Sequence, residues 1–540
     1  MLSEWFLVNK STKSASGTFF LVAIFLIGIS HWLLFFYLEQ PPHARDDFTA
    51  IGWMWDGDRE LFRFSGSPSE SFGSEAFTAH DWYTCGNYLK VVREALQTGI
   101  IPYHVSQLHL FFSDISQDRF LGVPAWSMSP QVVFLYLLDP FTFAVVNLLL
   151  MYSIGFYGCL LIRREYGLGM IAFTFLFLLF NFNGYFVAKV AAHGPSQLGY
   201  FLFPFLVLFL MRAGEKYGGK SERDATRGLD QAWLGLLIGL VLAGMLYQGS
   251  LHFFVECLTF VLLWGVINFR KWRLSAVMFL AVGLVGAVRL LPAAVTYGVA
   301  PNSHAAVWGG YGHPGHFVQA LVSTRTHLSH PLFTWWESDL YVGLVGLLAL
   351  IYFGVWGSFL RCGWAKFTGW YAMAVPLLVI TFISFRQFKK YVVPDWIPLL
   401  NAESMTTRYM IIPLVVLIVI ATINLQGFCE KYLEVKRIKY LLLGSLLVVG
   451  AFLFNHSRVW RMHRVQDEYD WAIAEGLDSE PAHHSMEIAL RIQNHMDDTL
   501  YIWAVWGGAV VTTVSIIVIA TWIIRQWHTR PKINGFVDAA

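Results

Sequence analysis

Apolar runs of about 20 residues, separated by short polar or basic stretches, recur along the whole of this chain, and that is the length a helix needs to cross a bilayer. Their positions predict about twelve membrane-spanning helices, near 17–38, 141–162, 168–187, 199–212, 231–247, 251–268, 274–295, 339–360, 367–385, 408–425, 438–455 and 500–524. The fold class expected is all-α and polytopic. The first run, Gly17 to Leu38, is longer than a signal-peptide core and lacks a small-residue cleavage site before Gln40-Pro41-Pro42, so it is expected to remain as a span. A different pattern runs from Asn87 to Thr98. There Leu89, Val92 and Leu96, flanked by Val91 and Ala95, share one helical face, and Lys90, Arg93, Glu94 and Gln97 share the other. Gly99 can close that helix and Pro102 forbids its continuation, which predicts an amphipathic helix lying in the membrane interface. The apolar, proline-bounded stretch from Pro130 to Pro140 predicts a second interfacial or re-entrant piece.

Composition agrees with a lipid solvent: 56% of the residues are hydrophobic, 17% aromatic and only 14% charged. The formal net charge of +2 gives no reason to expect nucleic acid as a partner. The distribution of basic residues is more informative. With a cytoplasmic N-terminus, Lys10/Lys13, Arg163-Arg164, the Arg212–Arg227 loop, Arg270-Lys271, Arg361/Lys366, Lys431–Lys439 and Arg525/Arg530 all fall in inner loops. Both termini are therefore expected in the cytoplasm of a cell-membrane protein. The long outer segments are then 39–140, 296–338 and 456–499, with a shorter one at 386–407. Cys85, Cys159, Cys257, Cys362 and Cys429 are scattered without CxxC spacing, so no zinc site or redox pair is indicated.

Lys189, Glu256 and Arg289 lie inside apolar spans, and on this topology all three lie toward the outer leaflet. Charges in hydrocarbon are costly, so such a group is expected to line a functional cavity. A blander reading stands beside each: Arg289 pairs with Glu256 to neutralise two buried charges, Lys189 snorkels to the headgroups, and Glu337 and Asp339 are interfacial charges bordering a span. His193 sits in a polar outer bend, where a hydrogen-bonded structural role is the simpler expectation. His304, His313, His316, His327 and His330 crowd one loop, but their spacing fits no zinc pattern; no cofactor is expected, and a divalent metal is not indicated.

The first outer loop carries D-W-Y at Asp81-Trp82-Tyr83, then EALQTGIIP, then P-A-W-S-M-S-P-Q ahead of L-D-P-F. In the same order follow Asn183-Gly184-Tyr185 with Ala192-His193-Gly194, Tyr247-Gln248-Gly249-Ser250, Arg289-Leu290-Leu291-Pro292, Tyr341-Val342-Gly343-Leu344 and Thr407-Arg408-Tyr409. This series, over roughly 75–425, resembles the YfhO-like bacterial membrane proteins of the GT-C superfamily of polyprenol-phosphosugar-dependent glycosyltransferases. The resemblance implies inverting transfer of a sugar from a polyprenyl-phosphate donor, entering from membrane lipid, to a glycan, lipid or protein acceptor at the outer face. It implies a catalytic base among the acidic residues of the first outer loop, with Asp81 matching by position. Asp46 and Asp47 are further candidates, because about forty extra residues separate the first span from Asp81.

Such chemistry needs a carboxylate to take the acceptor proton and cations to receive the charge developing on the leaving phosphate. Arg289, Arg408 and Lys189 are the cationic candidates, with His193 and Glu256 beside them in the donor site. The expected organisation is a transmembrane catalytic core over 1–425, with its large first outer loop at 39–140, and a two-helix membrane segment over 426–540 with an outer loop at 456–499. A transporter or flippase of a glycolipid, or a non-catalytic glycolipid-binding protein, would use the same residue types. The absence of a convincing internal repeat, and charges that favour one leaflet, suit alternating access less well.

Overall fold

The computed structural model describes residues 15–37, 78–105, 118–122, 129–215, 224–297, 309–324, 337–359, 370–393, 405–463, 492–493 and 496–529. Helix occupies at least part of every stretch that hydropathy marks. Among the described residues, seven helices are long and apolar enough to cross a membrane: Gly17–Phe35, Thr142–Glu165, Met170–Ala191, Gln197–Gly214, Thr406–Tyr432, Lys436–Trp460 and Thr499–Arg525. The pair Leu251–Ile267 and Phe269–Val285, bent by 104° at its break, raises the number to 8 when it is taken as one span. The remaining stretches form the shorter apolar helices Gln231–Tyr247, Ala287–Thr296, Gly343–Trp356 and Met373–Ile383.

Local chemistry shortens or distorts these pieces. Pro292 and Pro376 interrupt the hydrogen-bond ladders of their helices, and Gly249, at φ 72°, ends the helix before it. The helix from Gly343 continues as a π-helix over Leu350–Trp356, and the Phe353 carbonyl there accepts from Asn424 Nδ2 at 2.9 Å. Large apolar side chains such as Phe19, Leu447 and Trp503 are about three-quarters exposed, as a hydrocarbon solvent allows. The molecule is a multi-pass α-helical membrane protein.

Two groups of contacts mark opposite ends of the bundle. At one end Arg212 Nε donates to Glu165 Oε1 at 2.8 Å, Lys271 Nζ to the Ala213 carbonyl at 2.5 Å, and Gly169 N to Gln426 Oε1 at 2.7 Å. From Gly169 the chain climbs through Met170–Ala191, and from Gln426 it returns through Thr406–Tyr432, so Lys189 and Arg408 meet at the other end. An α-helix rises 1.5 Å per residue, so about 27 Å of helix separates Arg408 from Gln426.

The first-loop helix runs from Thr78 to Thr98, longer than its amphipathic stretch predicts, and takes Asp81 into its opening turns. Tyr88, Leu89, Val91, Val92 and Ala95 are buried and Glu94 and Gln97 exposed, as the two faces predict, while Leu96 on one face and Lys90 and Arg93 on the other are all half-buried. Gly99, at φ 72°, closes the helix by donating to the Ala95 carbonyl at 2.9 Å. Pro130–Tyr136 is a 3₁₀ helix whose Val133, Phe134 and Tyr136 are exposed. The first-loop helix packs against this turn and against Gly184–His193.

Among the described residues the one sheet is a two-stranded antiparallel contact, His104–Val105 with Ile492–Gln493. Beside it the C-terminal helix Thr499–Thr529 packs along Ala287–Tyr297, with Gly508 so close that a Cβ would lie 2.7 Å from the Ala287 carbonyl.

Candidate functional site

Met170–Phe182 ends because Asn183 turns extended, at φ −65° and ψ 156°. Its Nδ2 donates to the Leu179 and Phe180 carbonyls, both at 2.9 Å, and its Oδ1 accepts from Phe186 N at 3.2 Å, which caps the next helix, Gly184–His193. Gly184 N donates to the Tyr341 carbonyl at 2.8 Å. A Cβ at Gly184 would lie 1.9 Å from Asp339 Oδ1, so only glycine permits this approach. The break turns Lys189 into the protein. It is fully buried and its Nζ donates to Glu337 Oε2.

Glu337 also receives Arg408, whose Nε donates to Oε2 at 2.8 Å and whose second guanidinium nitrogen donates to Oε1. Arg408 sits on the 3₁₀ turn Thr406–Met410, which is held in place by Thr406 Oγ1 donating to the Gly309 carbonyl at 3.0 Å. Two helices distant in sequence thus deliver cations to one carboxylate, with Arg408 using its bidentate fork. Glu256 is fully buried and near enough to act electrostatically on Lys189, and Arg289, 3% exposed, acts in the same way on Tyr247.

Two residues on from Glu337, Asp339 is buried in a separate knot. Its Oδ1 accepts from Tyr341 N at 2.9 Å, and its Oδ2 accepts from Trp460 Nε1 at 2.6 Å and lies 2.8 Å from His456 Nε2. The Tyr341 ring stacks on His456 at 4.1 Å. Burial, followed by the Asp339 and Glu337 carboxylates, pushes the Tyr311 hydroxyl well above its ordinary range. It therefore stays a proton donor, to the Ser338 carbonyl at 2.9 Å.

Two expectations are corrected here. Lys189 does not snorkel to the headgroups, because the break at Asn183 directs it inward to Glu337. Glu337 and Asp339 are not interfacial charges, being 3% and 0% exposed and paired with groups from distant helices. Sequence reading missed Glu337, Asp339, His456 and Trp460 as site members. The available signals were two acids immediately ahead of an apolar run and a His–Trp pair one turn apart inside another.

The other candidates fall as follows. The backbone of Asp81 lies in the first-loop helix, which packs on the helix carrying Lys189. His193 ends that same helix. Asp46 and Asp47 lie outside the described residues, as do His304, His327 and His330. His313 caps Pro314–Val322, its Nδ1 accepting from His316 N at 3.1 Å.

Several of the sequence pieces quoted above meet at this end. Asn183-Gly184-Tyr185 touches Tyr341, and Gln248 Nε2 donates to Gln131 Oε1 at 3.1 Å. Fold and site together define a multi-pass helical membrane protein with a buried, charge-paired cluster at one end. Comparison of the chain with known protein families, with curated proteins and with solved structures finds no match.

Proposed function

We propose that this chain is a membrane glycosyltransferase of the GT-C type, moving a sugar from a polyprenyl-phosphate donor to an acceptor at the outer membrane face. One observation above all supports the reading. Lys189 and Arg408 converge at the end of the bundle where the helix carrying Asp81 is packed. The basic end, with Arg212 and Lys271, is then the cytoplasmic one by the positive-inside rule, and the Lys189 end faces out.

In this mechanism the Asp81 carboxylate takes the proton of the acceptor hydroxyl. The acceptor oxygen forms its bond to the anomeric carbon from the face opposite the phosphate. The bond between that carbon and the phosphate oxygen breaks, and the lipid phosphate leaves with the electron pair, inverting the centre. Lys189, Arg408 and Arg289 supply the positive charge that the leaving phosphate requires. The lipid tail stays in hydrocarbon throughout, since removing it costs about 0.8 kcal/mol per methylene.

Purified protein in lipid nanodiscs, given a radiolabelled polyprenyl-phosphate sugar and a mixture of envelope glycans and lipids, should form labelled product. Donor binding without product, or labelled lipid crossing the bilayer unchanged, would instead favour a glycolipid-binding protein or a flippase.

A further inference from the structure

We propose that Lys189 and Arg408 form a phosphate site whose resident occupant is the chain's own Glu337, a tethered carboxylate that a phosphomonoester or phosphodiester displaces. The inference concerns regulation of the donor site and rests on the reading of that site given above.

Charge balance supplies the first argument. Glu337 already answers the positive charge of Lys189 and Arg408 in a buried setting, and Glu256 lies near enough to act on Lys189 as well. A phosphate brought onto the same two cations would stand against the Glu337 carboxylate in a low-dielectric interior, which is strongly unfavourable. Phosphate and ionised Glu337 therefore exclude one another.

The contact geometry supplies the second. Glu337 engages the Arg408 fork through both oxygens and shares one of them with Lys189, the donor arrangement that binds phosphate oxygens. A second observation lies one residue along the chain. Thr407, adjacent to Arg408, is 2% exposed, and its Oγ1 has no hydrogen-bond partner among the described residues. A buried hydroxyl without a partner is uncommon, and a phosphate oxygen would satisfy it.

The mounting of the groups supplies the third. Both cations sit on helical turns packed in the core, and Glu337 sits on a 3₁₀ turn leading into the non-helical stretch 339–342, which Asp339 anchors on Trp460 and His456. Turning the Glu337 side chain about its own bonds would release the carboxylate and leave the Asp339 anchor, and the Tyr311 contact to the Ser338 carbonyl, in place.

The test measures binding of polyprenyl phosphate, inorganic phosphate and phosphatidylglycerol to wild-type and Glu337→Gln protein in nanodiscs. Removing the competing charge should tighten binding of at least one of them by about tenfold or more, less than the full effect of breaking a buried ion pair. Tightening for polyprenyl phosphate alone assigns the site to the lipid donor, tightening for inorganic phosphate as well assigns it to the phosphate group itself, and tightening for phosphatidylglycerol assigns it to a membrane headgroup. Unchanged or weaker binding of all three overturns the proposal and makes Glu337 a positioning residue.

Should the variant fail to fold, wild-type protein still decides the matter. Labelling of Glu337 by dicyclohexylcarbodiimide should rise when polyprenyl phosphate or inorganic phosphate is added, and constant or reduced labelling contradicts displacement. Sugar transfer by a wild-type protein whose phosphate binding ignores Glu337→Gln would refute this inference alone. Tighter phosphate binding without any transfer would refute the enzyme reading and leave the phosphate site standing.

Discussion

Gly184 brings two distant parts of the chain into backbone contact, and the cost of a side chain there is easily read. A Cβ would lie 1.9 Å from Asp339 Oδ1 and 2.4 Å from Tyr341 N, both members of one buried polar knot. Gly184→Ala is expected to destabilise the protein by about 1–3 kcal/mol, the range for overpacking a rigid site. Gly444→Ala, where a Cβ meets nothing within 4 Å, should be neutral or slightly stabilising. Thermal unfolding of the two variants in detergent provides the comparison. A second residue-scale prediction concerns Asp498, which receives Arg119 Nε at 2.5 Å and lies 3.3 Å from His104 Nε2. Burial works against its ionisation, but hydrogen bonds and charge from Arg119 and His104 outweigh that and hold its carboxyl below the ordinary range. A depressed carboxylate pKa contributes stability that is complete above the unfolded value, about 3.9, and is lost as pH falls through the folded value. The contact between first loop and C-terminal helix should thus hold from neutral pH down to about 4 and weaken below it. Asp498→Asn should remove its contribution at every pH and flatten the acid limb of a melting-temperature profile.

Helices and their contacts were unequally legible in the sequence. Hydropathy located the apolar segments because it measures transfer into lipid, and the 3.6-residue period located most of the buried face over residues 88–98. Neither quantity carries information about which distant residues pair. Lys189 looked like a headgroup-seeking lysine near a helix end, yet its partner Glu337 lies 148 residues away. The same limit applies to Asp339 and His456, 117 residues apart. One helix bend was also hidden, at Asn183 inside an otherwise apolar run, whereas the 104° break before Phe269 falls at Asn268 and Arg270-Lys271, where hydropathy already divides two spans. Gly235 and Gly239, four residues apart on Asp224–Tyr247, mark a close helix packing that hydropathy does not register. There a Cβ would meet the Leu274 carbonyl at 2.4 Å and the Met278 carbonyl at 2.7 Å. Small residues four apart let helices approach in lipid, where packing rather than the hydrophobic effect drives association. Gly235→Leu combined with Gly239→Leu should separate this helix from Trp272–Val285. A cysteine pair placed across the two helices should then lose its crosslinking, while a pair across Met170–Phe182 and Ile411–Tyr432 keeps it.

At the scale of the whole molecule, a buried ion cluster and a first-loop helix meet at one end of a multi-pass bundle. On the proposed function the first-loop helix supplies the base and the cluster the phosphate cations. The most direct measurement is single-turnover transfer of labelled sugar from a polyprenyl-phosphate donor by purified wild-type, Asp81→Asn and Asp47→Asn protein, with donor binding measured in parallel. Asparagine keeps the size of aspartate but cannot accept the acceptor's proton, so Asp81→Asn should bind donor normally and lose turnover by at least about a hundredfold. Normal turnover by Asp81→Asn with an inactive Asp47→Asn would move the base to the start of the loop, and full activity in both variants would contradict the mechanism.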